Sequence, residues 1–353
     1  CGAALIGTGC RISPPTTAPT STSRAASSAS RSYAGGALAA ARRKAQAEQG
    51  AATYALVATR SQVVLAADEA FYGVLTATER RTIAESAQAV SAELLRAARV
   101  RLGNGEIPAL DVGRLELEVA QATTAVDSAH TQLAIARNEL ATLIGVPESD
   151  LEVRPLQDED GARPESLNDV VASAAASRPE VKRLDLEVQA LESAVSLAHG
   201  ARLPQLRAEA AAGWDSLTLP DGQNAGWQAG VTLSVPLWDW QVLERRERLA
   251  LIEVDNARQR LASVRRALTI EVTRRYLEVD LAGRLLTTAV QAERLARRNA
   301  ESARQGYGLG LVSNLELITA ERQAAAAASD RSATRFARLV AISRLDFAAG
   351  RLE

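Results

Sequence analysis

Apolar side chains recur along most of this chain at alternating steps of four and three residues. Leu115, Val119, Ala122, Val126, Ala129, Leu133, Ala136, Leu140 and Leu143 form one such run, a heptad seam about four heptads long. Val254, Ala257, Leu261, Val264 and Leu268 follow the same rule. Residues 38–102 contain no Pro and only two Gly, and residues 241–307 contain no Pro and only Gly283 and Gly306. Each stretch predicts a single helix of about 65 residues, rising ~97 Å at ~1.5 Å per residue, far beyond an ordinary globular helix. Many seam positions are Ala, which lets helix backbones approach closely. The helices are expected to pack on each other, not around a bulky core.

Between these helical stretches the period changes to two. Leu206, Ala208, Ala210, Ala212 and Trp214 alternate with Gln205, Arg207, Glu209 and Gly213. Trp227, Ala229, Val231, Leu233, Val235 and Leu237 alternate with Gln228, Gly230, Thr232 and Ser234. Two strands of about ten residues, joined by a loop at Pro220-Asp221-Gly222, have the length of tilted membrane-spanning β-strands. All four tryptophans, Trp214, Trp227, Trp238 and Trp240, lie at or near the strand ends, where an aromatic girdle would meet the membrane–water interface. A soluble hairpin with one face on a core is the other reading. Few bulky residues elsewhere could form that core, so the membrane reading is preferred. A lone hairpin leaves its edges unsatisfied in lipid and must close with others into a barrel.

Sliding the sequence along itself by 205 positions reveals a duplication. Leu102-Gly103-Asn104-Gly105-Glu106-Ile107 falls on Tyr307-Gly308-Leu309-Gly310-Leu311-Val312, with Leu110-Asp111-Val112 on Leu315-Glu316-Leu317. Arg99 falls on Arg304, Glu116 on Glu321, Leu140 on Leu345 and Gly145 on Gly350. Residues 33–147 and 238–352 are therefore two copies of one helical hairpin. The turns are Gly103–Pro108 and Gly308–Ser313, with glycine expected to take the left-handed conformation that ends a helix. Ser313 followed by Glu316 predicts a capping box for the returning helix. Pro108 and Asp111 hold those places in the first copy.

The net charge of −1 gives no reason to expect a nucleic-acid partner. Aromatics are only 3% of the chain, too few for a conventional core of this length. No stretch approaches the ~20 apolar residues of a membrane-spanning helix. The only cysteines are Cys1 and Cys10, and there is no Met; a processed or fragmentary start is expected, with Cys1 a candidate for lipidation. No catalytic constellation, cofactor motif or metal-ligand spacing is found. His130 and His199 are far apart in sequence, and Gly308 and Gly310 end a helix instead of opening a phosphate loop after a strand. An enzyme is not expected, and neither is a cofactor.

The duplicated hairpins, the strand pair and three local motifs together resemble the TolC-like outer-membrane efflux proteins. Ser234-Val235-Pro236-Leu237-Trp238-Asp239 is similar to that family's strand-to-helix corner, Tyr307-Gly308-Leu309-Gly310-Leu311-Val312-Ser313-Asn314-Leu315-Glu316 to its periplasmic-tip turn, and Leu140-Ala141-Thr142-Leu143-Ile144-Gly145 to the end of a return helix. The resemblance covers residues 33–353. It implies a mainly α fold of duplicated long antiparallel α-helical hairpins forming a coiled-coil tunnel, plus a transmembrane β-hairpin contributing to a trimeric β-barrel. It implies a homotrimer in outer-membrane lipid, with a periplasmic adaptor (membrane fusion protein) and an inner-membrane transporter as partners. The chain would be a passive exit duct of a tripartite efflux or type I secretion system, its tunnel reaching into the periplasm. Asp111 and Glu316 match acidic gate positions at the periplasmic tip, with Thr319 where some members carry a second acid. A capping role is the other reading of Glu316. The tip turns at Gly103, Gly105, Pro108, Gly308, Gly310 and Ser313 would dock the adaptor.

The expected organisation is a disordered Ser/Thr/Pro-rich start at 1–32, a first hairpin at 33–147 and a connector with a short helix at 148–204. The membrane β-hairpin follows at 205–237, and the second hairpin at 238–353. The start departs from the family. Residues 13–30 are Ser, Thr, Pro or Ala except Arg24, a composition that buries too little to order itself, so a first β-hairpin is expected to be missing. With only one strand pair legible, three chains would supply six strands and open edges, and this chain is expected to trimerise poorly. Two rivals are a periplasmic adaptor, which would carry one hairpin in extensive β-domains, and a coiled-coil spacer, which has no use for strands bounded by tryptophan.

Overall fold

The computed structural model describes residues 24–154, 166–215 and 225–352. In chain order these form β1 (Arg24–Ala34), α1 (Ala37–Gly103), α2 (Ala109–Ile144), α3 (Leu167–Ser177), α4 (Pro179–Gly200), β2 (Gln205–Asp215), β3 (Ala225–Ser234), α5 (Val242–Gly308) and α6 (Asn314–Ala348). A 3-10 turn at Glu148–Asp150 follows α2. The fold is mainly helical. α1 and α5 are each 67 residues long, and both their starts and their ends differ by 205 positions. The duplication seen in sequence is thus a duplication of secondary structure.

The chain divides into two compact units. The helical unit comprises Ala47–Val188 with Asn256–Glu353. Here α1 and α2 run antiparallel, Val74 and Ala77 packing with Leu133 and Leu140, and Leu95 and Ala98 with Val112 and Leu115. Of the α2 seam, Leu115, Val126, Ala129, Leu133 and Leu140 are buried, whereas Leu143 is 38% exposed. Seam residues Leu261 and Leu268 join Val272 and Val279 of α5 in a second core with Val170 and Ala174 of α3, Val181, Leu184 and Val188 of α4, and Leu345 and Ala348 of α6.

The connector is two helices, not the single short helix the sequence suggests. Arg178 separates them with φ −57° and ψ 120°, because a following proline disfavours helical backbone. Pro179 then opens α4, where its fixed φ suits the first helical turn. The break is put to use: Arg178 Nη1 donates to Ala348 O at 2.9 Å and Ser177 Oγ to Ala349 O at 2.8 Å, satisfying carbonyls at the end of α6 that the helix cannot.

The other unit, Cys1–Gln46 with Gln189–Asp255, contains an antiparallel three-stranded sheet ordered β1-β2-β3. β1 corrects two expectations. Residues 24–34 are ordered as a strand, and the sheet has three strands instead of one hairpin, so the count of six for three copies is too low. Composition argued against order because this segment has no strict alternation. What forms it is pairing of its backbone, residue by residue, along the whole of β2 from Arg24↔Asp215 to Ala34↔Gln205, and backbone donors and acceptors are common to every non-proline residue. β3 ends at Ser234, so the alternation at Val235 and Leu237 runs on past the strand. The loop at Pro220-Asp221-Gly222, and Cys1 with Cys10, lie outside the described residues.

Two turns leave one end of the sheet, where Ala34, Gln205 and Ser234 lie side by side. Gly35 and Gly36 lead into α1 with φ +53° and +81°; their counterparts in the second repeat, Trp240 and Gln241, take φ +53° and +62°. Gly35 could hardly be anything else, since a Cβ there would lie 2.6 Å from Leu203 Cβ. Beside them Glu247 of α5 accepts from Arg202 at 2.7 Å and lies 3.1 Å from His199 Nδ1. Those two hydrogen bonds hold the Glu247 carboxyl below the usual carboxylate range.

Candidate functional site

Two places stand out, the paired helix turns and the sheet. Each turn closes through the same hydrogen bonds. Gly105 N donates to Leu102 O at 2.9 Å and Glu106 N to Arg101 O at 2.9 Å; at the other turn Gly310 N donates to Tyr307 O at 3.1 Å and Leu311 N to Gly306 O at 2.8 Å. The left-handed residues are Gly105 and Gly310, both at φ +74°. Gly103 and Gly308, the first glycines of the two turns, are the last helical residues of α1 and α5. The reversal comes two residues later because each helix first completes its final turn. Gly306 matters for another reason: a Cβ there would sit 2.5 Å from Val312 Cγ2.

The returning helices start differently. Ser313 caps α6, its Oγ accepting from Glu316 N at 3.3 Å while Ser313 N donates to Glu316 Oε2 at 2.8 Å. The capping box is complete, and its hydrogen bonds lower the Glu316 pKa. Pro108 stands before α2 with no side-chain cap. Asp111 instead sits in the first turn of α2, 3.5 Å from Arg114, where its charge complements the helix dipole.

The two turns are tied together. Asn314 Nδ2 donates to Asp111 O at 2.8 Å, Arg101 lies 5.0 Å over the Tyr307 ring, and Ile318 packs with Val112 and Leu115. Asp111 and Glu316 therefore belong to one end of the helical unit. Sequence reasoning missed Asn314, Arg101 and Glu106. Glu106 accepts from Asn104 at 3.1 Å and Arg101 at 3.2 Å, and these bonds hold its carboxyl below the usual range. A charged residue inside a glycine turn was the available signal. Leu110, Leu309, Leu311 and Leu315 are exposed around the same end, giving it an apolar surface beside its acids.

The sheet exposes its apolar positions. Tyr33, Leu206 and Leu233 share one register line, Ala208 pairs with Val231, and Ala212 with Trp227. Trp227 is 81% and Val231 72% exposed, so no core covers this face among the described residues. By register, Trp214 and Trp227 lie near one end of the strands. Trp238 and Trp240 follow the other end of β3, edge to face with ring centroids 5.9 Å apart and both exposed.

Among the described residues no helix is long and apolar enough to cross a membrane, and no cluster of His, Cys, Asp and Glu could hold a metal.

No curated protein sequence matches this chain. Solved structures do. The chain is similar to the open state of the Neisseria gonorrhoeae MtrE outer membrane channel, at 17% identity, TM-score 0.79, over 95% of this chain and 82% of that one. It is similar to the Campylobacter jejuni CmeC outer membrane channel at 16% identity, TM-score 0.77, over 94% and 78%. The outer membrane protein VceC of Vibrio cholerae matches at 16% identity, TM-score 0.76, over 93% and 87%. At such identities these likenesses show the fold. The sequence family of outer membrane efflux proteins matches residues 170–351, from α3 through α6. An adaptor or a spacer does not stand against that match: the chain belongs to the outer membrane efflux protein family.

Proposed function

We propose that this outer membrane efflux protein is the channel subunit of a tripartite efflux or type I secretion system, assembled as a homotrimer. The sheet of each copy contributes to a β-barrel in outer-membrane lipid, and the helices form a coiled-coil tunnel in the periplasm. The tip turns meet a periplasmic adaptor, which connects them to an inner-membrane transporter. The observation that carries this reading is a sheet with an exposed apolar face, flanked at both ends by tryptophan. In water such a face invites association; in lipid it is at home, and Trp214, Trp227, Trp238 and Trp240 suit the two interfaces.

Strand direction adds a constraint. β1 and β3 both run antiparallel to β2, so they run parallel to each other. Three such sheets set side by side would meet β3 to β1 in parallel at every junction. An all-antiparallel barrel needs an even number of strands, hence one further strand from each copy.

The acids Asp111 and Glu316, one from each repeat, would ring the narrow end of the tunnel and attract cations. The test is conductance of the membrane-reconstituted protein. Asp111→Ala with Glu316→Ala should raise single-channel conductance and weaken block by trivalent cations. A double variant that conducts and blocks like the parent would move the gate elsewhere and leave Glu316 its cap alone. A chain that washes off membranes with salt, without detergent, would end the channel reading itself.

A further inference from the structure

Both long helices leave the sheet at the end where Ala34, Gln205 and Ser234 are neighbours. Just past β3 on that side, Leu237, Trp238 and Trp240 are 89%, 79% and 78% exposed. Basic residues follow at once. Arg42 and Arg43 lie in the second turn of α1, and Arg245 and Arg246 in the first two turns of α5. At ~1.5 Å rise per residue, all four stand within ~10 Å of where their helices begin.

The acids close by in the chain are already committed. Residues 37–46 contain none. Asp239 accepts from Gln241 N and Leu243 N, Glu244 pairs with Arg248 at 2.5 Å, and Glu247 pairs with Arg202 at 2.7 Å. Arg42, Arg43, Arg245 and Arg246 are exposed and make no ion pair among the described residues. Cations gain nothing from the positive end of a helix dipole, so helix stability does not account for them. Nor does the duplication. At the 205-residue offset Arg42-Arg43 falls on Glu247-Arg248, and Arg245-Arg246 falls on Ala40-Ala41. Each copy carries its bare cations at its own positions, and what the two share is closeness to the end of the sheet.

We propose that this end of the sheet is a binding surface for anionic phospholipids, with Leu237, Trp238 and Trp240 in the leaflet and Arg42, Arg43, Arg245 and Arg246 on its headgroup phosphates. The dimensions agree. The headgroup layer on each side of a bilayer is ~5–8 Å thick, so tryptophans at its apolar edge put these arginines at its water side. Charges there lie within about one Debye length of the phosphates. Arginine suits the partner, because its planar fork meets a phosphate at two points. This deepens the channel reading and rests on it: the basic collar selects the lipid that surrounds the barrel where the helices emerge.

The test uses the full chain reconstituted in vesicles of phosphatidylcholine mixed with phosphatidylglycerol. Brominated chains on one lipid or the other quench the tryptophans, and the two quenching curves give the relative affinity. The parent should prefer phosphatidylglycerol roughly tenfold, and high salt should shrink that preference. Changing Arg42, Arg43, Arg245 and Arg246 together to Gln should bring the ratio to within about twofold of unity, while Lys at the same four positions should keep most of it. Arg260, Arg266, Arg294 and Arg298 are exposed further along α5; changing those four to Gln removes the same charge and should leave the preference intact. Millimolar inorganic phosphate should not compete, and loss of the preference to it would make this a small-anion site instead. If the collar variant keeps the preference, or the control variant or the Lys variant loses it equally, the lipid assignment is wrong and the channel reading survives. If neither brominated lipid quenches the parent, the sheet is not in lipid and both fall.

Discussion

Where the first repeat leaves the sheet it bends through Gly35 and Gly36; where the second leaves it, Trp240 and Gln241 make the same bend. All four φ angles are left-handed, and those of Gly35 and Trp240 are equal, yet the physical means are opposite. Glycine takes the left-handed region without steric cost, whereas an ordinary residue there is strained by roughly 1–2 kcal/mol. The second repeat offsets the strain with Asp239, whose carboxylate accepts from Gln241 N at 3.1 Å and Leu243 N at 2.7 Å, a cap for α5. Its counterpart, Ala34, has no such group. Strain of this kind persists only where the surrounding structure holds it, and Trp240 is also edge to face with Trp238, ring centroids 5.9 Å apart. The comparison teaches that the duplicated unit fixes its backbone and lets each copy find its own chemistry for it.

The largest effect should come from breaking the glycine version. Gly35→Ala adds the left-handed penalty to a 2.6 Å approach to Leu203 Cβ and 2.9 Å to Gly200 O, and should cost about 3 kcal/mol or more. Gly36→Ala meets nothing within 4 Å and should cost only about 1 kcal/mol. Thermal unfolding in detergent, followed by the helical signal, separates them. Equal losses would mean that the turn is set by φ alone and that the contact with Leu203 is unimportant.

The tip turns give a middle-sized contrast. Ser313→Ala removes a side-chain cap and should cost about 1 kcal/mol, while Pro108→Ala, with no cap to lose, should cost less. The contrast depends on pH. The folded Glu316 carboxyl titrates below its ordinary range because Ser313 holds its charged form. Its contribution is therefore complete above that range, ~4.3 for a free Glu, and is lost as pH falls through the lowered value. Ser313→Ala should consequently matter less in strong acid than at neutral pH. A constant penalty across that range would show that the hydroxyl caps without help from the carboxylate.

How much of this was legible beforehand follows from what each feature depends on. The long helices, the repeat and the Ser313–Glu316 cap are local patterns, and the matched ends of α1 and α5 show that the repeat carried real structural information. β1 was illegible because its order lies in the backbone of β2, not in its own side chains. The split at Arg178 was legible in principle from Pro179. Gly105 and Gly310 were in view as turn glycines, but which glycine of each turn is left-handed was not legible, because sequence alone does not say where a helix completes its last turn. The link from Asn314 to Asp111, which makes two turns one end, joins residues 203 positions apart and leaves no local trace.

The smallest effect concerns a pair the duplication kept. Arg99 bonds Glu116 at 2.9 Å, and 205 positions on Arg304 bonds Glu321 through both Nε and Nη2. The first pair is open, its side chains 59% and 52% exposed; in the second, Glu321 is only 15% exposed. An open single bond between long side chains contributes ~0–0.5 kcal/mol, while a two-point guanidinium–carboxylate contact fixes geometry as well as charge. The hydrogen bonding to Glu321 also raises the Arg304 pKa, the direction a firm pair should show. Arg99→Ala should therefore leave the stability to unfolding nearly unchanged, and Arg304→Ala should lower it measurably, by about 1 kcal/mol. High salt should shrink the first effect to nothing and the second only in part, since partial burial limits screening. If the two variants respond alike to mutation and to salt, the duplicated pairs are equal in strength and the divergence of the repeats stops at their turns.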